Sequence, residues 1–262
     1  MKTIDQLIPD INNLLSRGKG WTKESTELLK TEVGRIVEER FTGKTEGEVR
    51  NPLRLSAIGT PNKRQLWYDY KDESKKSEVL PANVVGTFFY GDLIESWVIA
   101  LAVATGHRVE CLQERVDVFG VPGHLDCIID GVLVDVKSAN MFSFNKFKNN
   151  SLRKKDDYGY LGQLSSYLYS KQKDPRLTLK HKAAFLAINK EKFELVLDIY
   201  DFTEELKNKE KEISETKAML ALDTPPERCV EDIEDGKSGN RILDKPCIWC
   251  RHKEKCWENL TK

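Results

Sequence analysis

The sequence predicts an α/β chain with a mixed central β-sheet flanked by helices. Two observations carry that expectation. Apolar runs meet at Asp130-Gly131, the strongest short-range signal for a two-residue β-hairpin. Segments with helical spacing lie on both sides of the hairpin. With 262 residues, 39% of them hydrophobic, the chain can bury a sizeable core. Three regions are expected: a helical region over 1–54, a core over 55–222, and a cysteine-containing segment over 223–262 packed on that core.

The elements follow in order. Residues 22–40 have helical spacing behind the possible N-cap Thr22. LSAIGTPNKRQLWYDY (55–70) starts as a loop and ends in a short helix, with Lys63, Arg64, Trp67, Tyr68 and Tyr70 interleaving base and aromatic. Such a mixture suits phosphate contact and stacking, or an aromatic anchor for the core. GDLIESWVIALAVAT (91–105) is apolar nearly all round and reads as a buried helix stopped by Gly106. A carboxylate inside it, Glu95, is costly unless paired, protonated or metal-bound. Residues 109–121 read as a strand leading into the hairpin, 161–172 as a helix, 182–188 and 193–200 as strands, and 204–220 as a charged helix.

The hairpin GHLDCIIDGVLVDVKS (123–138) poses the chemical question. With the turn at 130–131, Ile129 faces Val132, Asp126 faces Asp135 and His124 faces Lys137. Alternation then puts His124, Asp126, Ile128, Leu133, Asp135 and Lys137 on one face. Leu125, Cys127, Ile129, Val132, Val134 and Val136 form an apolar core face. Facing carboxylates destabilise a strand pair unless positive charge lies between them. A divalent cation with oxygen ligands fits; so does a solvated outer face whose charges are incidental.

Lys+Arg and Asp+Glu both number 42, so no global field draws the chain to nucleic acid, and any such binding must use local patches. The densest basic segment holds Lys146, Lys148, Arg153, Lys154 and Lys155, placed for DNA backbone contact. No long apolar run or signal peptide is read, which predicts a soluble, cytoplasmic protein with no membrane partner. Gly-rich phosphate loops, nucleophile elbows and zinc-protease helix motifs are absent from the sequence.

Glu95 on a helix, Asp126 after a strand, Asp135-Val136-Lys137 on the next strand, and Gln163 with Tyr167 resemble the PD-(D/E)XK nuclease superfamily. The match is to its RecB-like branch, similar to the phage lambda-type exonucleases and CRISPR-associated adaptation nucleases. The resemblance runs from about residue 55 to residue 256. It implies a restriction-endonuclease-like core and a nuclease hydrolysing DNA phosphodiesters. Glu95, Asp126 and Asp135, with the Val136 carbonyl, would hold Mg²⁺ or Mn²⁺; Lys137 would orient or help deprotonate the water and offset negative charge. Gln163 and Tyr167 would contact DNA near the site, and His124 would contact phosphate or pack beside Lys137. Glutamate at position 95 tilts the reading toward the lambda-type phage enzymes, and the expected activity is an exonuclease in recombination, repair or phage DNA metabolism whose partner is DNA, as linear ends or single strands. A structure-specific endonuclease and a non-catalytic nucleic-acid-binding module are the alternatives. The resemblance also admits a recombination partner, a separate helicase and a homo-oligomer.

Cys247, Cys250 and Cys256 have the spacing C-x2-C-x5-C, which looks like metal ligation rather than a disulfide framework. They resemble the C-terminal triplet of RecB-like nucleases that bind an iron-sulfur cluster, implying a [4Fe-4S] site. The fourth cysteine of those relatives lies upstream, where this chain has none before Cys111, so Cys229 is the expected replacement. Structural Zn²⁺, with His252 as a substitute ligand, and unligated thiols stay open. Cys111 and Cys127 are expected to be buried apolar residues.

Overall fold

Two long strands alternate residues between two apolar clusters, and that alternation sets the architecture. The computed structural model describes residues 2–41, 53–71, 81–244 and 247–257. The helices are α1 (Leu7–Arg17), α2 (Lys23–Phe41), α3 (Leu55–Ile58), α4 (Lys63–Lys71), α5 (Ala82–Ala104), α6 (Met141–Lys148), α7 (Tyr160–Ser170), α8 (Thr203–Ala221) and α9 (Lys253–Cys256). The strands are β1 (Val109–Glu110), β2 (Arg115–Val118), β3 (Val121–His124), β4 (Cys127–Ile129), β5 (Val132–Ala139), β6 (Lys182–Asn189), β7 (Glu194–Asp201), β8 (Ile233–Glu234) and β9 (Arg241–Ile242).

The central sheet has the order β1-β4-β5-β6-β7 and is mixed. Only β5 and β6 run parallel; the other neighbours are antiparallel. A parallel neighbour requires a crossover, and α6 and α7 lie in the connection between β5 and β6. In β5 and β6, Leu133, Ala183, Phe185 and Ala187 enter one cluster, and Val132, Val134, Val136, Ala184, Leu186 and Ile188 enter the other. Residues of α3, α4, α6, α7 and α8 complete the first cluster, and residues of α1 and α5 the second. Both faces of the sheet are therefore covered, which is why these strands read as nearly continuous apolar runs.

The hairpin register holds through Ile129↔Val132, Ile128↔Leu133 and Cys127↔Val134. There it stops. β3 pairs instead with β2 in a separate two-stranded sheet, and His124 lies opposite Arg115 rather than Lys137. Leu125 correspondingly joins Ile128 and Leu133 in their cluster, not Cys127 and Ile129. The expected single strand over 109–121 is likewise divided, by a bend with positive φ at Cys111 (55°) and Gln113 (49°) and a turn at Phe119-Gly120.

The buried helix expected from Gly91 begins earlier, at Ala82. α5 is long and apolar enough, by length and composition only, to cross a membrane, which corrects the expectation that no long apolar run exists. Only 33% of its most apolar window is buried. Its later residues Val98, Ile99, Leu101 and Ala102 pack in the sheet's second cluster, whereas Phe88 and Tyr90 are exposed.

Glycines fix where α7 sits. A Cβ on Gly162 would lie 2.2 Å from the Cα of Gly59, and one on Gly159, at φ +74°, would lie 2.4 Å from the Gly59 carbonyl carbon. Two backbones meet there with no room for a methyl group. Gly162→Ala is expected to cost about 1–3 kcal/mol or more through overpacking. Gly34→Ala, whose Cβ meets nothing within 4 Å, is expected to stabilise its helix by about 0.5–1 kcal/mol. Urea unfolding of both variants checks the contrast.

Candidate active site

Three elements converge where β4 begins. β5 presents Asp135 and Lys137 from one face, two residues apart; α7 lays Tyr160, Gln163 and Tyr167 over them; α5 contributes Glu95. Tyr160, Gln163 and Tyr167 follow i, i+3, i+7 spacing, so they share one face of α7.

Asp135 is only 1% exposed. Its Oδ1 accepts from Gln163 Nε2 at 3.3 Å. Its Oδ2 lies 2.5 Å from Lys137 Nζ in a buried ion pair, and Lys137 is its one close partner among the described residues. Gln163 Nε2 also reaches Tyr167 Oη at 3.4 Å, and Tyr167 packs so closely that a Cβ on Gly123 would lie 2.8 Å from its ring.

Asp126 sits just outside the ladder. Because β4 is three residues long, the Val136 N–H is free to donate to Asp126 Oδ2, at 2.7 Å. The Asp126 carboxylate thereby takes the place of a strand partner, which brings it beside Asp135 without direct pairing.

Two residues that the sequence reading missed complete the cluster. Gln113 Nε2 donates to Glu95 Oε1 at 2.5 Å, and its backbone N–H donates to the Asp126 carbonyl at 2.9 Å. Its positive φ is an uncommon conformation for a residue with a side chain. Tyr160 is the second: Lys137 Nζ lies 5.2 Å from its ring centroid, a cation–π distance. A helical tyrosine one turn before Gln163 was a visible signal; nothing local marked Gln113.

The electrostatics follow from crowding acids around one cation. Burial, then repulsion from Asp126 and Asp135, pushes Glu95 well above the usual carboxylate range. Burial and the charge of Asp135 push Asp126 up to about 7. Lys137 is opposed by its own burial, yet attraction to Asp135 and Asp126 outweighs that and holds it above the ordinary lysine value. Burial pushes Tyr167 above the usual tyrosine range.

His124 does not join the cluster. It is exposed on β3, and partial burial together with Arg54 and Arg115 lowers its pKa. The basic segment is mostly ion-paired: Lys146 with Asp157 at 2.6 Å, Lys148 with Glu194 at 3.5 Å, Arg153 with Glu205 at 2.7 Å, and Lys155 with Asp157 at 3.8 Å. Lys154 is exposed. Lys146 and Lys148 lie on α6 rather than in a loop.

Cys229, Cys247, Cys250 and Cys256 line one cavity with Arg64, Tyr68, His252 and Trp257. Burial raises the Cys247 and Cys250 thiols. Trp257 Nε1 is buried there and aimed at the Cys247 sulfur. On His252, Nε2 meets Asp69 Oδ1 at 2.7 Å and the ring stacks on Tyr68 at 5.3 Å. Its Nδ1 makes no hydrogen bond among the described residues, and a carboxylate on the other ring nitrogen is the usual partner of a metal-binding histidine. Arg64 donates to the Pro226 carbonyl at 2.7 Å and Trp67 Nε1 to that of Leu222 at 2.9 Å, so the basic-aromatic helix anchors packing rather than displaying bases.

Among the described residues, the group of three potential ligands whose atoms all lie within 4.8 Å of one another is Cys111, Glu114 and Asp174. Neither the carboxylate cluster nor the four sulfurs close that far. The trio is not short of positive charge: Lys171 lies 2.5 Å from Glu114, and Arg176 lies 3.2 Å from Glu114 and 2.7 Å from Asp174. Burial pushes the Cys111 thiol up to about 12.

No family model and no curated protein matches the chain. A solved structure described as "Crystal structure of SSO0001" is similar at 14% identity and a TM-score of 0.43, over 88% of this chain and 97% of that one. A likeness at that level carries no argument about function.

The raised carboxyl values set a pH dependence. A folded-state value above the unfolded one favours the protonated fold, so stability is lost as pH rises from the unfolded value toward the folded one. For Asp126 the window runs from its ordinary 3.8 to about 7. Asp126→Asn in chelator is therefore expected to melt at a higher temperature than the wild type at pH 8, and the gap should close as pH falls toward about 4. Thermal melts across that range check it.

Proposed function

We propose that the chain is a divalent-metal-dependent deoxyribonuclease, an exonuclease working from the ends of linear DNA in recombination, repair or phage DNA metabolism. One observation carries the reading: three carboxylates on α5, β4's approach and β5 crowd a single lysine, and burial with mutual repulsion drives two of them, Glu95 and Asp126, above the usual carboxylate range. Hard oxygen donors with excess negative charge fit Mg²⁺ or Mn²⁺. Glu95, Asp126, Asp135 and the Val136 carbonyl would hold the ion. When bound, it would supply an activated water and stabilise charge on the phosphoryl oxygens.

The chain's own groups do the rest. Lys137 Nζ, favoured as an ammonium by Asp135 and Asp126, offsets the charge that builds on a non-bridging phosphoryl oxygen as water oxygen bonds to phosphorus. The P–O bond to the leaving nucleotide then breaks, and its oxygen takes up a proton. Gln163 and the Tyr160 ring fix Asp135 and Lys137 in place; Tyr167, only 4% exposed, supports Gln163 from the core rather than contacting DNA as expected.

Cleavage of end-labelled linear DNA beside closed circular DNA, with Mg²⁺, Mn²⁺ or chelator, tests the reading. Loss of the linear substrate alone, metal-dependent and reduced on the order of 10²–10³-fold by Lys137→Ala, is expected. Cutting of the circle would favour a structure-specific endonuclease. Binding without cleavage of either would favour a nucleic-acid-binding module.

The four cysteines form a second proposed site, for a [4Fe-4S] cluster or Zn²⁺. Its support is their shared cavity and a buried Trp257 Nε1 aimed at the Cys247 sulfur. Metal analysis and visible absorption of the purified protein distinguish the two. Cys250→Ser is expected to lower both metal content and melting temperature; an unchanged, metal-free protein would remove the site.

A further inference from the structure

Lys137 is joined to the surface by a stack of rings. Tyr160, whose centroid lies 5.2 Å from Lys137 Nζ, stacks inward on Phe147 at 6.1 Å and outward on Tyr158 at 5.3 Å and 30°. Phe147 in turn meets Phe185 of the central sheet at 5.4 Å. The stack therefore begins in the core and ends in solvent, where Tyr158 is 62% exposed.

Single exposed aromatics are ordinary, but the setting of Tyr158 differs in two ways. Its turn is fixed: Asp156 Oδ1 accepts from the Tyr160 N–H at 3.0 Å and Oδ2 from the Leu161 N–H at 2.8 Å. Gly159 is pinned against the Gly59 backbone immediately beside it. A second ring stands nearby: Phe142, 74% exposed, has Lys146 Nζ 5.7 Å from its centroid, and the same ammonium pairs with Asp157, the neighbour of Tyr158. Two exposed rings thus bracket one ion pair, with the exposed Lys154 and Lys155 close behind in the chain.

We propose that Tyr158, flanked by Phe142, is a stacking platform for an unpaired base of a single DNA strand whose phosphate is led toward Lys137. The proposal rests on the nuclease reading and adds the form of DNA that the site accepts. A base inside a duplex has both faces covered by its neighbours, so a protein ring can lie on an unpaired base or cap a terminal pair, and a blunt duplex separates the two. Stacking accepts any base, because every base has a π-face, and is worth about 1–3 kcal/mol per base. The fixed turn lowers the ordering cost of that contact. A strand separated at its end would be engaged without sequence readout.

The test is fluorescence anisotropy with Ca²⁺ in place of Mg²⁺. The probes are a labelled oligothymidylate, the same strand with one abasic position moved along it, and a blunt duplex; the proteins are wild type, Tyr158→Ala and Tyr158→Phe. Tyr158→Ala is expected to weaken binding of the intact strand by about 5- to 100-fold, with Tyr158→Phe close to wild type and the duplex little affected. One abasic position should cost the wild type a similar factor and cost Tyr158→Ala nothing further. Undiminished binding of the intact strand by Tyr158→Ala overturns the platform, as does an equal loss on the duplex or at every abasic position. If the wild type still cleaves linear DNA in those cases, the nuclease reading stands. A wild type that neither binds nor cleaves any of these DNAs overturns both.

Discussion

Buried negative charge at the start of a three-residue strand is the constraint on which the site depends. Asp135 lies on the sheet face that otherwise holds Leu133, Ala183 and Phe185, where an isolated carboxylate is expensive. Lys137, Gln163 and the Val136–Asp126 hydrogen bond answer part of that cost. Their positions in turn require α7 to lie close over β5, and Gly59, Gly159 and Gly162 permit the approach. The close packing of Gly59 on Gly159 and Gly162, about a hundred residues away, and the chemistry of the acidic cluster are thus one arrangement.

The hairpin shows how far sequence carries and where it stops. Asp130 and Gly131 both adopt positive φ, 49° and 82°, as a two-residue type I′ turn requires. The first three strand pairs follow directly from it. The error at Leu125 and His124 came from a second turn, Phe119-Gly120, also at positive φ (52° and 75°). Phenylalanine has no preference for that conformation, so the apolar alternation on either side hid the break. The acidic residues were still gathered correctly, because Asp126 reaches Val136 through its side chain and does not need ladder register.

Other misses have the same physical origin. Gln113 matters through a bent backbone and a contact with Glu95 across a loop, neither of which leaves a periodic trace. The partner of His252, Asp69, is distant in sequence and was likewise illegible. Cysteine spacing made the triplet legible, Cys229 was the expected fourth, and all four line one cavity.

Charge balance is the argument for proposing the metal at the β5 cluster rather than at the tightest trio of potential ligands. Glu114 and Asp174 are matched by Lys171 and Arg176. Hydrogen bonding from Lys171 holds Glu114 below its ordinary pKa, and hydrogen bonding from Arg176 does the same for Asp174. An arriving cation would have to displace two partners already in place. At the β5 cluster, three carboxylates face one lysine, and two of the acids are driven upward instead. A divalent cation would relieve that repulsion as it bound, offsetting its own dehydration. Spacing between ligand atoms measures only how closely they can approach; the unmet charge around them decides whether an ion gains by joining them.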